Sequence, residues 1–116
     1  MKIKKINKPW GHEILIEINK KYMFKELFMK KNHRCSLQYH KKKTETIYVV
    51  KGKLKIFYGK SLKKLKSKTF KSKQTITIKP KIIHRMQAIE NTIYLEASSP
   101  EFSDVVRLSD DYNRIV

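Results

Sequence analysis

The part of the sequence that most restricts the fold is residues 36–50, where side chains with metal-binding groups occur in two strand-like segments. Gln38 and His40 are two residues apart, so on an extended strand they point to the same side. A short polar connection, residues 41–44, leads to a β-branched and aromatic segment that begins at Glu45. Because connections of this length join antiparallel strands, Glu45 is predicted to lie beside His40.

These side chains predict a metal site. Imidazole nitrogen, carboxylate oxygen and amide oxygen together suit zinc, manganese, iron, cobalt or nickel. Four ligands from two separate segments are expected: Gln38, His40, Glu45 and, far downstream, His84. A single His or Gln on a strand is more often an ordinary polar residue, and only the combination favours a metal. Such a set leaves one or two coordination positions open, as catalytic metal sites do.

Most of the remaining chain has the pattern of short strands. Residues 12–18 and 22–29 are predicted to form a hairpin around the polar turn 19–21, and residues 53–58 alternate between two faces. Residues 75–80 form a strand that ends at its proline, and residues 93–97 form another. The lysine-rich stretch 59–73 is predicted to be a solvated hairpin, because no aromatic residues repeat along it to bind nucleic acid. The chain is therefore predicted to be one all-β domain, residues 1–116.

The charge of the chain is strongly positive. The 28 lysines and arginines against 10 acidic residues give a net charge of +18. A nucleic-acid partner, an anionic small molecule or a coding bias toward lysine could each explain this charge. The lysines are scattered over almost every segment, which fits coding bias, and specific nucleic-acid binding is not expected.

The single cysteine, Cys35, excludes an intramolecular disulfide and fits a reducing cytoplasm. No signal peptide and no apolar run long enough to cross a bilayer is visible, so we expect a cytoplasmic protein. Cys35 lies an odd number of residues from Gln38. It is therefore predicted to face away from Gln38, as a small core residue rather than a nucleophile.

The spacing His40-x4-Glu45-x6-Gly52, with a second histidine after Pro80, resembles the two-part signature of the cupins, which are small antiparallel barrels. Within the cupins, the sequence resembles the phosphomannose isomerase type II family. The matching segments lie along nearly the whole chain, at residues 8–11, 37–40, 45–52, 84–86 and 104–114. The resemblance implies a double-stranded antiparallel β-helix, the jelly-roll barrel.

The resemblance also implies an activity. The family interconverts mannose 6-phosphate and fructose 6-phosphate, an aldose–ketose isomerisation through a metal-stabilised enediolate. It implies a divalent metal cofactor, with zinc as the first choice. Glu96 and Arg85 are the candidates for acid–base work, although Glu96 could equally pair with an arginine. The candidates for holding the phosphate of an anionic sugar are Arg107, Arg114 and Lys31.

Two departures from the family leave alternatives open. The turn after Pro80 lacks the usual glycine, and residues 41–43 are lysines where the family often has further histidines. The chain could be a non-catalytic cupin that binds a sugar or sugar nucleotide, or an epimerase or isomerase of another anionic sugar. A homodimer is expected, because cupin barrels commonly pair through their N-terminal strands.

Three residues outside the proposed ligand set carry separate expectations. Trp10 is predicted to close one end of the barrel rather than to contact a substrate. Asn32 stands where the family commonly has glycine, and we expect it to adopt positive φ. His33 falls in a loop and is predicted to be exposed to solvent.

Overall fold

The computed structural model describes residues 3–114, which form eleven β-strands and one 3₁₀ turn at Leu62–Lys64. In chain order the strands are β1 (Lys4–Lys8), β2 (Gly11–Ile18), β3 (Met23–Met29), β4 (Leu37–Tyr39), β5 (Glu45–Lys51), β6 (Lys53–Gly59), β7 (Lys66–Lys71), β8 (Thr75–Ile78), β9 (Ile83–Ala88), β10 (Thr92–Ser98) and β11 (Val106–Ser109).

The strands form two antiparallel sheets. The six-stranded sheet has the order β1-β2-β3-β10-β5-β8, and the five-stranded sheet has the order β11-β4-β9-β6-β7. β3 and β10 alternate strictly between buried and more exposed residues, and the buried side chains of both sheets form one core. Met29 and Val49 enter it from the six-stranded sheet, and Leu54 and Met86 from the five-stranded sheet. The predicted all-β jelly roll is confirmed.

The hairpin between β2 and β3 shows how a turn without glycine is stabilised. The side-chain oxygen of Asn19 accepts the backbone N–H groups of Lys21 and Tyr22 at 2.8 and 3.0 Å. This bonding fixes the turn locally, as Asn side chains commonly do. The two strands begin at Gly11 and Met23, within one residue of the predicted bounds.

The stretch 59–73 is largely exposed, as predicted, and its strand β7 pairs with β6. Phe70 is the exception, because it is buried in the core. Asn32 has a φ of 67°, as predicted for a residue that replaces glycine. Trp10 is also buried in the core and lines the interior cavity, and its predicted place at one end of the barrel stays a prediction.

The turn that lacks the expected glycine adopts the same type of backbone conformation with a lysine. Lys81 has a φ of 69°, in the left-handed region that glycine normally occupies. Its backbone N–H donates to the carbonyl of His40 at 2.7 Å. The turn before β9 is thus bonded to the segment after β4, and the two ligand-bearing segments are held side by side.

Within residues 3–114, no helix is both long enough and apolar enough to cross a membrane.

Candidate metal centre

Three of the four predicted metal ligands converge inside the barrel. His40 follows β4, Glu45 begins β5 and His84 lies in β9, and all three are buried. Oε1 of Glu45 lies 3.1 Å from Nε2 of His84 and 3.6 Å from Nε2 of His40. One potential ligand atom from each residue lies within 4.8 Å of the others. This spacing fits a single ion bound between them.

Backbone carbonyls fix the orientation of both imidazole rings. Nδ1 of His40 donates to the carbonyl oxygen of Asp104, and Nδ1 of His84 donates to that of Ile82 at 2.9 Å. A carbonyl can only accept, so each Nδ1 carries the proton. In the neutral rings the lone pair is then on Nε2, which faces Glu45. Metal-binding histidines are commonly oriented by such a bond on the other nitrogen.

The chemistry of these atoms fits a divalent cation. The two Nε2 atoms and Oε1 of Glu45 are buried and have no partner with hydrogen-bond geometry among the described residues. Burial opposes ionisation of Glu45, but the two imidazoles hold the pKa of its carboxyl well below the ordinary value. Burial likewise opposes the charging of His40, yet Glu45 raises the pKa of that imidazole. A bound divalent cation would compensate the charge of the buried carboxylate and take the two nitrogen atoms as ligands.

Gln38, the fourth predicted ligand, lines the same cavity as His40 and Glu45. Its backbone pairs with that of His84, so the two side chains share a face. Its Oε1 accepts the hydroxyl proton of Ser36 at 2.5 Å. The role of Gln38 as a ligand stays a prediction.

The cavity around these residues has a volume of about 170 Å³ and contains more charge than the sequence suggested. Five buried residues, which we call the ion row, alternate in sign along one wall: Glu13, Lys25, Glu96, Lys43 and Glu45. Lys43 bridges Glu96 at 3.2 Å and Glu45 at 3.5 Å. Lys25 lies 4.0 Å from Glu96 and 3.5 Å from Glu13. The row therefore reaches the candidate metal ligand Glu45.

Glu96 faces the cavity, as one of the two expected arrangements requires, and its ionic partners are lysines rather than an arginine. Burial, together with the charge of Glu45, raises the pKa of Glu96, while Lys43 and Lys25 oppose this rise. Lys43 was expected in the polar hairpin connection, but its side chain turns inward and is only 7 % exposed.

The candidate substrate residues divide into two groups. Arg107 and Arg114 line the cavity. Two side-chain bonds of 2.8 and 2.9 Å hold Arg114 against Asp110, whereas Nε of Arg107 is buried and has no partner within residues 3–114. Lys31 is exposed in the turn before β4 and does not line the cavity.

Arg85 also lies outside the cavity, and its expected acid–base role stays a prediction. Neighbouring residues of a strand point to opposite faces, so Arg85 points away when His84 points inward. Its guanidinium donates to the carbonyls of Cys35 at 2.9 Å and Ser109 at 3.3 Å. These bonds join β9 to the segment before β4 and to β11, so Arg85 connects strands.

Two other expectations need correction. Cys35 is buried in the core as predicted, but it lines the same cavity as Gln38 instead of facing away from it, because it precedes β4 and is not bound by the alternation of that strand. Burial raises the pKa of its thiol to about 11. His33 is half-buried, and its Nδ1 contacts the carbonyl of Lys31 at 3.1 Å.

Asp104 is a functional candidate that sequence reasoning missed. Its carboxylate accepts the backbone N–H groups of Lys41, Lys42 and Lys43 at 2.7–3.0 Å, and its carbonyl orients His40. The sequence of the loop that carries these three amides contains no pattern that could point to an acceptor 61 to 63 residues away. Glu13 and Lys25 did leave a signal, since each occupies an inward position of its strand.

The fold and the site define a cupin with a His–Glu–His cluster that could hold a metal. Residues 1–110 match the family described as mannose-6-phosphate isomerase C-terminal. The chain belongs to this family. No curated protein is similar enough in sequence to count as a match.

Solved structures of cupins resemble this fold at low sequence identity. The capsular polysaccharide assembling protein CapF from Staphylococcus aureus has a TM-score of 0.80 at 13 % identity, over 93 % of this chain and 34 % of its own. Oxalate decarboxylase from Bacillus subtilis has a TM-score of 0.81 at 14 % identity, over 91 % of this chain and 30 % of its own. KdgF from Halomonas sp. has a TM-score of 0.73 at 12 % identity, over 87 % of this chain and 89 % of its own. The chain thus spans about a third of the CapF and decarboxylase chains, and these likenesses concern the fold alone.

Proposed function

We propose that this protein is a metal-dependent isomerase of sugar phosphates that interconverts mannose 6-phosphate and fructose 6-phosphate. The observation that carries the proposal is the convergence of the two unpartnered Nε2 atoms on Oε1 of Glu45, in a cluster of which His40 and Glu45 line the cavity. The family match supports the choice of reaction and substrate.

In this proposal His40, Glu45 and His84 hold a divalent ion, with Gln38 as a further ligand. When bound, such an ion polarises a carbonyl group and stabilises negative charge on its oxygen. Zinc is our first choice, and manganese, iron, cobalt and nickel suit the same donors. Asp104 and Ile82 keep the two imidazoles turned toward Glu45, so the ligand geometry exists before an ion binds.

Arg107 supplies the contact for the phosphate. Its backbone pairs with Gln38, and Gln38 pairs with His84, so Arg107 lies two strands from a metal ligand on the same face. The guanidinium suits phosphate because it offers several donors in one plane.

Glu96 is the candidate for moving a proton between the two reacting carbons. It faces the cavity, and its raised pKa brings it closer to the range in which a carboxyl both accepts and releases a proton near neutral pH. Lys43 holds the Glu96 carboxylate at 3.2 Å and so fixes its position. Arg85 and Lys31 have no part in the proposal, because neither lines the cavity.

Elemental analysis of untagged protein, followed by an assay on mannose 6-phosphate, tests this proposal. We expect near-stoichiometric metal in the wild type, its loss in His40→Ala and His84→Ala, and turnover only in the metal-loaded form. His33→Ala is the matched control, because it removes an imidazole outside the cavity. Wild-type protein that takes up no divalent metal would overturn the proposal. Metal-loaded protein that binds the sugar phosphate saturably without turnover would instead support the binding-protein alternative.

Other expectations stay predictions. A homodimer that pairs through N-terminal strands is compatible with the position of β1 at an edge of the six-stranded sheet. The net charge of +18 would oppose close association of two copies at low salt. A cytoplasmic location and the lack of specific nucleic-acid binding are likewise expected.

A further inference from the structure

We infer that Glu13, Lys25 and Glu96 of the ion row form a subsite that binds the hydroxyl groups of a polyhydroxylated ligand, with Lys25 as its central contact. The inference rests on the proposed function, because it states how the sugar part of the ligand is recognised. It concerns residues on β2, β3 and β10, none of which belongs to the candidate metal ligands.

The position of Lys25 is unusual for a lysine. It is only 7 % exposed, and it lies between the buried carboxylates of Glu13 and Glu96, which are 6 % and 5 % exposed. Lys25 and Glu96 are directly paired across β3 and β10, so both side chains project from the same face. All three side chains line the cavity that His40 and Glu45 of the metal cluster also line. A lysine seldom becomes this buried unless it is paired.

The pairing of Lys25 is loose. Its ammonium lies 3.5 Å from Glu13 and 4.0 Å from Glu96, whereas a charge-assisted hydrogen bond between such groups spans about 2.7–2.9 Å. Its only hydrogen bond within the described part of the chain is the long one to Glu13. An ammonium has three donors, so Lys25 has donors available to a ligand in the cavity.

The alternating charges of the ion row indicate which chemical groups of a ligand would bind there. A hydroxyl group both donates and accepts, so it can accept from the ammonium of Lys25 and donate to a neighbouring carboxylate. Successive hydroxyls of a polyol can repeat this pattern along Glu13, Lys25 and Glu96. A phosphate near neutral pH mainly accepts, and the flanking carboxylates would repel its charge. The phosphate therefore belongs at Arg107, and Glu13, Lys25 and Glu96 bind the neutral sugar hydroxyls.

The test measures binding by calorimetry to zinc-loaded protein, with mannose 6-phosphate, mannose and inorganic phosphate as the probes. Lys25→Met keeps the length of the side chain and removes the donors. Lys55→Met is the matched control, because Lys55 is on β6, lies over the ring of Phe57 and does not line the cavity. Glu13→Gln is the second variant, since it retains size and keeps Lys25 in place if Lys25→Met does not fold.

We expect Lys25→Met to weaken the binding of mannose 6-phosphate and mannose by about tenfold or more, the usual effect of losing a hydrogen bond to a charged group. Glu13→Gln should weaken both severalfold. Binding of inorganic phosphate and the zinc content should stay within twofold of the wild type in both variants. Lys55→Met should change none of these quantities.

Two results would overturn the inference. The first is sugar affinity that stays at the wild-type value in folded Lys25→Met and Glu13→Gln, even if the enzyme turns over mannose 6-phosphate. The second is wild-type protein that binds neither sugar probe at millimolar concentration. If the wild type binds the sugars without turnover and Lys25→Met weakens that binding, the inference stands and the proposed isomerase activity fails.

Discussion

Replacement of Asp104 by alanine is the sharpest test of how the C-terminal segment supports the candidate metal centre. The change removes the acceptor of three backbone N–H groups in residues 41–43 but keeps the carbonyl that orients His40. Asp104 thus resembles a helix N-cap, whose loss costs about 0.5–2 kcal/mol. The carboxylate is partly exposed, so water and screening reduce the loss, and we expect the free energy of unfolding to fall by about 1 kcal/mol.

The larger effect should be on metal affinity. Residues 41–44 connect His40 to Glu45, so a loop that loses its three bonds places both ligands less well. Changes around metal ligands typically reduce affinity about 10- to 100-fold, and we expect about tenfold, since the ring of His40 keeps its carbonyl partner. Zinc affinity would be measured by chelator competition, and the free energy of unfolding by urea denaturation of the metal-free protein.

The controls for this prediction use the same segment. Ser103→Ala alters the exposed neighbouring residue and should leave both quantities at the wild-type value. Asp104→Asn keeps one acceptor oxygen and should lie between the wild type and Asp104→Ala. If Asp104→Ala binds zinc with unchanged affinity, the loop is held by other contacts and the positioning role of Asp104 is refuted.

Three further predictions concern pH, the cysteine and Arg85. Because Glu45 raises the pKa of His40 above its ordinary 6.5, a proton competes with the metal; affinity for zinc should rise between about pH 6 and pH 8. In the metal-free protein the free energy of unfolding should change with pH in the opposite direction. The charged His40 stabilises the fold below pH 6.5, and this contribution is lost as the pH rises through the raised pKa. A zinc affinity independent of pH in chelator competition would contradict this. The pKa of Cys35 is raised from 9.0 to about 11, so its thiolate fraction near neutral pH falls about a hundredfold; a thiol reagent should modify it rapidly only after unfolding. Arg85→Met should lower the free energy of unfolding by about 1–3 kcal/mol, because two carbonyls lose their donor. The zinc content should not change in this variant, and a loss of zinc would indicate that Arg85 supports the metal site.

The main part of the candidate site could be predicted because its signals are local. Gln38 and His40 share a face by strand alternation, and a short polar connection places Glu45 beside them. The assignment of His84 as a fourth ligand depended on the family resemblance, since nothing in residues 36–50 points to a residue so far away. The structure brings His84 to the cluster through the pairing of β4 with β9.

Strand alternation predicts the face on which a side chain lies, but it does not predict which charged side chains lie together. It places Lys25 and Glu13 on inward faces, yet a lysine in a chain of net charge +18 has no obvious reason to be buried. The positions of Glu13 and Glu96 on the two neighbouring strands supply the compensating charge. Arg85 lies outside the cavity because it follows His84 directly on β9, and neighbouring residues of a strand point to opposite faces.

The sequence by itself determined the antiparallel strands, the turn at Asn32 and the types of ligand atom, since period-two alternation and backbone preferences act over a few residues. The tertiary structure decided which charges meet. Lys43 turns inward because Glu45 and Glu96 lie on adjacent strands, and Asp104 reaches residues 41–43 because β11, which follows it, pairs with β4. Electrostatic and hydrogen-bond energies depend on distance in space, and sequence separation does not encode that distance.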